Sequence, residues 1–569
     1  MHDTAGLIAV ARGKKEPDLV LKQAKVINVF TGEICESDVA ISEGMIAGLG
    51  RYSGPKEVDL AGLFLAPGFI DGHVHLESTM VVPPEFARAV VPRGTTAVVA
   101  DPHEIANVLG TVGIRYLLDT SRSLPLRVYL TIPSCVPASP FETSGGEVTS
   151  RDLPELYQEK RILGLGEMMN FPGVLAAEPE ILAKIKASCG RPIDGHAPGL
   201  TGKDLCAYVA ARITSDHECT TPDEALEKLR LGMHVMIREG SATRNLLDLL
   251  PVVTPENLRR CMLVTDDRHP EDLLREGHLD HAVRKAISAG LDPVAAIRMV
   301  TINTAEYFGL NNLGAVAPGY LADLVVIEDL FSLQIGQVYH QGELVAEGGR
   351  SLFQAKRWAP EAVRNSVKVP SLSLEKIKLE AKSDLVRVIR LVPKQVVTTQ
   401  LLTFPKVSNN EIIADPDRDI LKLCVVERHH ATGRVGVGLV QGFGLKNGAI
   451  ACSVAHDSHN IIAVGVADED ILLAIDTIAR NQGGLVLAAQ GKILGVLALP
   501  IAGLMALGTL EEVARQLEDL HQRVAEMGVM IPSSFMALSF LSLSVIPELK
   551  LTDRGLVDVE EFRLVDISV

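Results

Sequence analysis

The chain has 569 residues, which points to two or three domains rather than one core. A net charge of −16 leaves no basic surplus to engage a nucleic-acid backbone. Hydrophobic residues make up 47% and aromatic ones 4%, the balance expected where helices pack on parallel strands.

Residues 1–65 read as a short helix at 5–14, then strands at 19–29, 38–41, 45–50 and 57–60. Turns such as Ser42-Glu43-Gly44 separate them. From residue 64 apolar strands alternate with helical stretches. The strands predicted are 64–70, 96–100, 127–132, 162–166, 193–195, 213–215, 233–237 and 262–265. Eight such strands are the number of a closed barrel. The expected fold class is α/β, with a (β/α)8 TIM-like barrel at 66–312 inserted in a small β-sandwich domain built from 1–65 and 313–355. Residues 356–372, rich in charge and proline, read as a linker, and 373–569 as a C-terminal α+β domain.

In that last domain, strands are expected at 385–391, 396–404, 421–426, 435–440 and 461–466. Val513, Leu517, Leu520, Val524 and Met527 recur at helical spacing within 510–527. Residues 493–510 carry no charge, but Gly495, Pro500, Gly503 and Gly508 break them. They read as a strand and a helix around Pro500 rather than a membrane span. The eight cysteines are scattered without a C-x-x-C, and no basic-then-apolar leader opens the chain. A cytoplasmic protein with reduced thiols is expected.

The chemistry gathers at predicted strand ends. In Phe69-Ile70-Asp71-Gly72-His73-Val74-His75, two imidazoles lie two residues apart and share one face of an extended strand. Asp101, His103 and Glu104 follow the second strand, Glu167 the fourth and His196 the fifth. His217 and Glu218 follow the sixth, Arg238 and Glu239 the seventh, Asp266 and Asp267 the eighth. His73, His75, Glu167, His196, His217 and Asp266 make a ligand set for two divalent ions, with Glu167 able to bridge them. Two such ions activate a shared water, and Asp266 is placed to take its proton. Glu239 is the candidate for a second acid that protonates the substrate, with an ion pair to Arg238 or Arg244 as the alternative. His103 and Glu104 either line the substrate pocket or orient the ligands. Ser241 either touches substrate or caps a helix. His456, Asp457 and His459 read as a surface turn, a lid or an additional metal site.

These motifs resemble the amidohydrolase superfamily and, within it, the bacterial adenine deaminase family. The likeness runs through residues 66–78, Ala100-Asp101-Pro102-His103-Glu104, Ser215-Asp216-His217-Glu218 and Arg238-Glu239-Gly240-Ser241. It continues in His429-His430-Ala431-Thr432-Gly433 and residues 453–460. The resemblance implies hydrolysis of adenine to hypoxanthine and ammonia, for purine salvage, with manganese or iron(II) favoured. It implies that His73 and His75 hold one ion, completed by Asp266, that His196 and His217 hold the other, and that Glu167 bridges. Asp267 rivals Asp266 as the last ligand and proton shuttle. The partners expected are a purine base and a second copy of the chain as a homodimer, with no nucleic acid and no membrane. The lack of a C-x-x-C argues against the zinc nucleobase deaminases. Glu167, where cyclic-amide hydrolases of this superfamily carry a modified lysine, counts against ring opening.

Overall fold

A computed structural model describes residues 3–354, 356–393 and 395–569. The N-terminal helix is Thr4–Ala11. It is followed by strands β1 (Leu19–Ile27), β2 (Ile34–Ser42), β3 (Met45–Gly50), β4 (Glu57–Asp59) and β5 (Phe64–Pro67). β1 changes partner at Gln23, whose φ is 53°. Residues 20–22 pair with β4, whereas Lys25 and Val26 pair with β5.

The apolar run predicted as one strand at 64–70 is two strands. At Gly68 a side chain would strike that of Thr96, which packs directly against the glycine backbone there. Beyond that glycine β6 (Phe69–His75) leaves the first sheet and opens the barrel. His73 and His75 therefore lie within the first barrel strand, every residue of which is buried.

The barrel continues through β7 (Thr95–Ala100), β8 (Arg127–Ile132), β9 (Ile162–Met168), β10 (Ile193–Gly195), β11 (Ser215–Asp216), β12 (His234–Arg238) and β13 (Cys261–Val264). A two-residue strand, β14 (Asp266–Asp267), extends β13 after Thr265. All pairings are parallel, in the orders β10-β9-β8-β7-β6-β14 and β11-β12-β13. Thr214 N donates to Ile193 O at 2.9 Å, carrying the ring from β10 to β11, and β14 on β6 closes it. Proline opens many of the intervening helices, as in Pro179–Ala187, Pro222–Arg230 and Pro293–Met299. Its fixed φ and missing N–H suit the first helical turn.

After the barrel, β15 (Leu324–Asp329) pairs antiparallel with β5. β16 (Gln334–His340), β17 (Glu343–Glu347) and β18 (Arg350–Ser351) complete a nine-stranded sheet shared by both ends of this region. That sheet has its own core, including Leu21, Val39, Leu65, Leu324 and Tyr339.

The C-terminal region is an eight-stranded sheet from Val386–Leu391 to Lys492–Ala498, with helix Asp468–Asn481 packed on it. A strand is found at Lys492–Ala498, but residues 500–508 are turns and bridges, so the helix expected directly after Pro500 starts only at Leu510. Thr509 caps that helix, Leu510–Glu526: its hydroxyl accepts from Glu512 N, and the Glu512 carboxylate accepts from Thr509 N. The helix docks on the barrel through the ion pairs Arg88–Glu511 and Arg275–Glu518. The main apolar core runs without a break from barrel residues such as Ile105 to Leu423, Ile450 and Leu487 of the C-terminal sheet. Among the described residues no helix is long and apolar enough to cross a membrane.

Candidate metal centre

Strand alternation puts His73 and His75 on the inner face of β6 with ring centroids 4.9 Å apart. Each ring is fixed from behind. His73 Nδ1 lies 3.0 Å from Asp194 Oδ2, and His75 Nδ1 donates to the Asp101 carbonyl oxygen at 3.1 Å. His217 Nδ1 lies 3.2 Å from the same Asp194 oxygen. With Nδ1–H donating outward, each of the three imidazoles turns the Nε2 lone pair inward.

Those lone pairs meet carboxylate oxygens. Glu167 Oε1 lies 3.0 Å from His75 Nε2 and 3.5 Å from His73 Nε2. Its other oxygen, Oε2, lies 2.8 Å from His196 Nδ1 and 3.6 Å from His217 Nε2. Asp266 Oδ1 adds a contact of 3.3 Å to His75 and 3.8 Å to His73. All six predicted ligands thus converge, and the two oxygens of Glu167 face different imidazole pairs.

This donor set fits two cations. A lone pair aimed at a carboxylate oxygen repels it unless a proton or a metal ion lies between. His73 Nε2 and Glu167 Oε1 are both buried without a hydrogen-bond partner among the described residues. Such groups are rare where no ligand is intended. The donors are imidazole nitrogen and carboxylate oxygen with no thiolate, which suits manganese, iron or zinc.

Arg238 braces the centre. Its guanidinium donates to Asp266 Oδ2 at 2.9 Å and to both oxygens of Glu218. Despite the burial penalty, His75 and Arg238 hold the Asp266 carboxyl well below its usual range. Glu218 Oε1 stands 3.9 Å from both His196 Nδ1 and His217 Nε2, at the edge of the cluster.

The other predicted residues fall in several places. Asp267 accepts from the Ser78 hydroxyl and, among the described residues, makes no ion-pair contact with His73 or His75. The Glu239 carboxylate pairs with neither Arg238 nor Arg244; it lies 2.5 Å from Lys285 Nζ and 3.7 Å from His281 Nε2. Ser241 caps no helix by the usual N-cap bond; its hydroxyl accepts from His269 N at 2.8 Å, tying the loop after β12 to helix Pro270–Arg275. His103 Nδ1 is 3.6 Å from Glu167 Oε1, and its Nε2 is 3.2 Å from Glu104 Oε1. His456, Asp457 and His459 are 5%, 3% and 0% exposed, which rules out a surface turn. They are buried because the loop that carries them packs on the barrel mouth, against Glu104.

Asp194 escaped the sequence reading. A signal was present: it lies two residues before His196, so on an extended strand the two share a face.

The family profile of the amidohydrolases matches residues 64–345, and that of the adenine deaminase C-terminal domain matches residues 395–563. An adenine deaminase of Carboxydothermus hydrogenoformans is 53% identical over 570 aligned residues, covering all of both chains. The chain belongs to the adenine deaminase family of the amidohydrolase superfamily. Further adenine deaminases extend the likeness within that family. Those of Dehalococcoides mccartyi and Methanothrix thermoacetophila are 50% and 49% identical, each over 98% of both chains. A solved crystal structure of an adenine deaminase aligns with 58% of this chain and 99% of its own at 17% identity and a TM-score of 0.44. That overlap is too loose to carry an argument.

Proposed function

We propose that this enzyme hydrolyses adenine to hypoxanthine and ammonia at a centre of two divalent ions, manganese or iron(II) in the cell. Family membership supports the substrate. The observation that carries the two-ion reading is Glu167, whose oxygens each face a separate imidazole pair. His73, His75 and Asp266 would hold one ion, His196 and His217 the other, with Glu167 between them. Ions bound there supply Lewis acidity that brings the pKa of a water to about 7.

The chain's own groups handle protons and position. Water adds to C6, and the amino nitrogen leaves as ammonia, so a proton must travel from water to that nitrogen. Asp266 is the carrier: one oxygen faces the imidazoles, and Arg238 fixes the other. N1 must also gain a proton as C6 becomes tetrahedral. Glu218 suits that task better than Glu239. It borders the cluster and shares the Arg238 guanidinium with Asp266, whereas Glu239 is engaged by Lys285. A single guanidinium thus holds two carboxylates at a set separation, which is the preorganisation proton transfer needs. His103 forms the wall beside Glu167. A cytoplasmic location, which the eight free cysteines support, and a homodimer complete the reading.

The test is ammonia release with adenine, adenosine, guanine and a hydantoin, beside metal analysis of the same sample. Ammonia from adenine with about two ions per chain supports the reading. Ring opening of the hydantoin, or activity unchanged after full metal removal, overturns it.

A further inference from the structure

Residues 453–460 join strands Ala449–Cys452 and Ile461–Gly465 of the C-terminal sheet and lie buried against the barrel mouth. They are held from both sides. Behind them, the Arg428 guanidinium donates to the carbonyl oxygens of His459 and Ala502. Asn460 Nδ2 donates to Thr143 O at 2.9 Å, in the barrel loop after β8. In front stands Glu104, in the first turn of helix His103–Leu109. Its Oε1 lies 2.7 Å from His456 Nδ1, and its Oε2 contacts His459 Nε2.

The tautomer of His459 is fixed. Ala455 N donates to its Nδ1 at 3.2 Å, so in the neutral ring Nε2 carries the hydrogen. That nitrogen suits a carboxylate and not a cation. Glu104 therefore acts as a two-armed latch between barrel and C-terminal domain.

Between the two latch histidines the loop presents Asp457. This carboxylate is 3% exposed, and its Oδ2 has no hydrogen-bond partner among the described residues. It lies within 4.8 Å of donor atoms of His103 and Glu104, and His103 in turn touches the Glu167 edge of the metal cluster. A buried carboxylate oxygen with no partner is unfavourable by several kcal/mol at most sites and is retained where a ligand supplies the donor.

We propose that Asp457 is a specificity-determining residue whose free oxygen accepts the imidazole-ring N–H of the bound purine, and that Glu104 is the positioning residue that latches it there. The proposal rests on the adenine reading above. A free purine base carries that ring N–H; a base substituted at N9, as in a nucleoside, does not. A buried acceptor facing the N–H rejects the substituted base by leaving the acceptor unpaired, a mode of discrimination that reaches about 10⁴-fold. The C-terminal domain thereby completes a site whose chemistry sits in the barrel.

The experiment measures kcat, KM, bound metal and inhibition by 9-methyladenine for the wild type, Asp457→Asn, Glu104→Gln and the double variant. In the wild type, 9-methyladenine should bind at least ~100-fold more weakly than adenine. Asp457→Asn keeps an acceptor oxygen but loses its charge, so it should raise the KM for adenine ~10-fold and narrow the preference over 9-methyladenine by a similar factor, with metal content unchanged. Glu104→Gln should raise KM ~10-fold, and the double variant should be no worse than Asp457→Asn alone, because the latch acts through Asp457. Equal wild-type binding of the two bases, or an unchanged KM in Asp457→Asn, overturns the proposal while leaving adenine deamination intact. A third metal ion in the wild type, lost in both single variants, overturns it in favour of a cation site. A wild type that releases no ammonia from adenine overturns the substrate reading and this proposal with it.

Discussion

Asp194 Oδ2 stands 3.2 Å from His217 Nδ1, and the same oxygen is 3.0 Å from His73 Nδ1. One buried carboxylate thus orients an imidazole from each half of the centre, and the two rings stack with centroids 3.8 Å apart. Asp194→Asn keeps the shape but removes the charge that fixes both rings. Affinity for both ions should fall 10–100-fold, the usual effect of losing such a partner. Retention of metal against a graded chelator series checks this; an unchanged curve would contradict the bracing role.

Among the described residues, Glu167 is the one side chain that contacts all four imidazoles of the set. Glu167→Gln replaces one of its oxygens with an amide nitrogen, which cannot ligate. Bound metal should drop to about one ion per chain or fewer, and turnover should fall by at least ~10³-fold. Two ions retained with near-normal turnover would sink the bridging assignment.

Glu218 and Glu239 offer a direct contrast. Glu218→Gln should lower kcat by ~10²–10³-fold, the range for a general acid–base, with metal content retained. Glu239→Gln should leave kcat/KM within about threefold but lower stability by about 1–3 kcal/mol, because a fully buried partner of Lys285 loses its charge. Denaturant unfolding beside steady-state kinetics separates the two outcomes, and the reverse pattern would return the acid's role to Glu239.

With metal removed, His75 and His217 titrate well above the ordinary imidazole value of 6.5. Burial opposes this, but Glu167 beside His75 and Asp194 beside His217 outweigh it. Groups whose pKa rises on folding stabilise the protein below their unfolded pKa and lose that contribution as pH climbs through the folded one. The matching carboxylates, Glu167 and Asp266, are depressed, so their contribution is lost only in acid. The melting temperature of the chelated protein should therefore decline as pH rises above about 6.5. Metal binding requires the neutral rings, so the gap between loaded and chelated protein should widen over the same range. Differential scanning fluorimetry across about pH 6 to 8.5 measures both trends, and a gap that narrows with pH would contradict them.

Arg238 ties Asp266 to Glu218. Arg238→Lys keeps a charge but loses the planar fork that reaches both. kcat should fall ~10²-fold with little change in KM, and the pH–rate profile should shift as the two carboxylates lose their common cation. A profile that superposes on the wild type would show that the pairing is structural alone.

The chain by itself determined the barrel, the order of its strands and the six side chains that converge as candidate ligands. Those features are local: apolar runs alternate with helical periods, and each ligand follows or ends a strand that aims it inward. The choice between Asp266 and Asp267 was not local. Both follow the last long barrel strand, and only the contacts each makes, Ser78 with Asp267 and Arg238 with Asp266, distinguish their placements. Glu239 read as a second acid or as an ion pair with Arg238 or Arg244, but a helix 40 residues on, Leu279–Ser288, brings Lys285 to it. Gly68 reads as part of one apolar run, and only the close approach of Thr96 shows why the run divides there. His456, Asp457 and His459 read as a surface turn, a lid or an additional metal site. Burial of these polar groups is decided by what lies opposite, and Glu104, some 350 residues away in the chain, lies there. Local spacing fixes what a residue offers; contacts between distant segments fix what it meets.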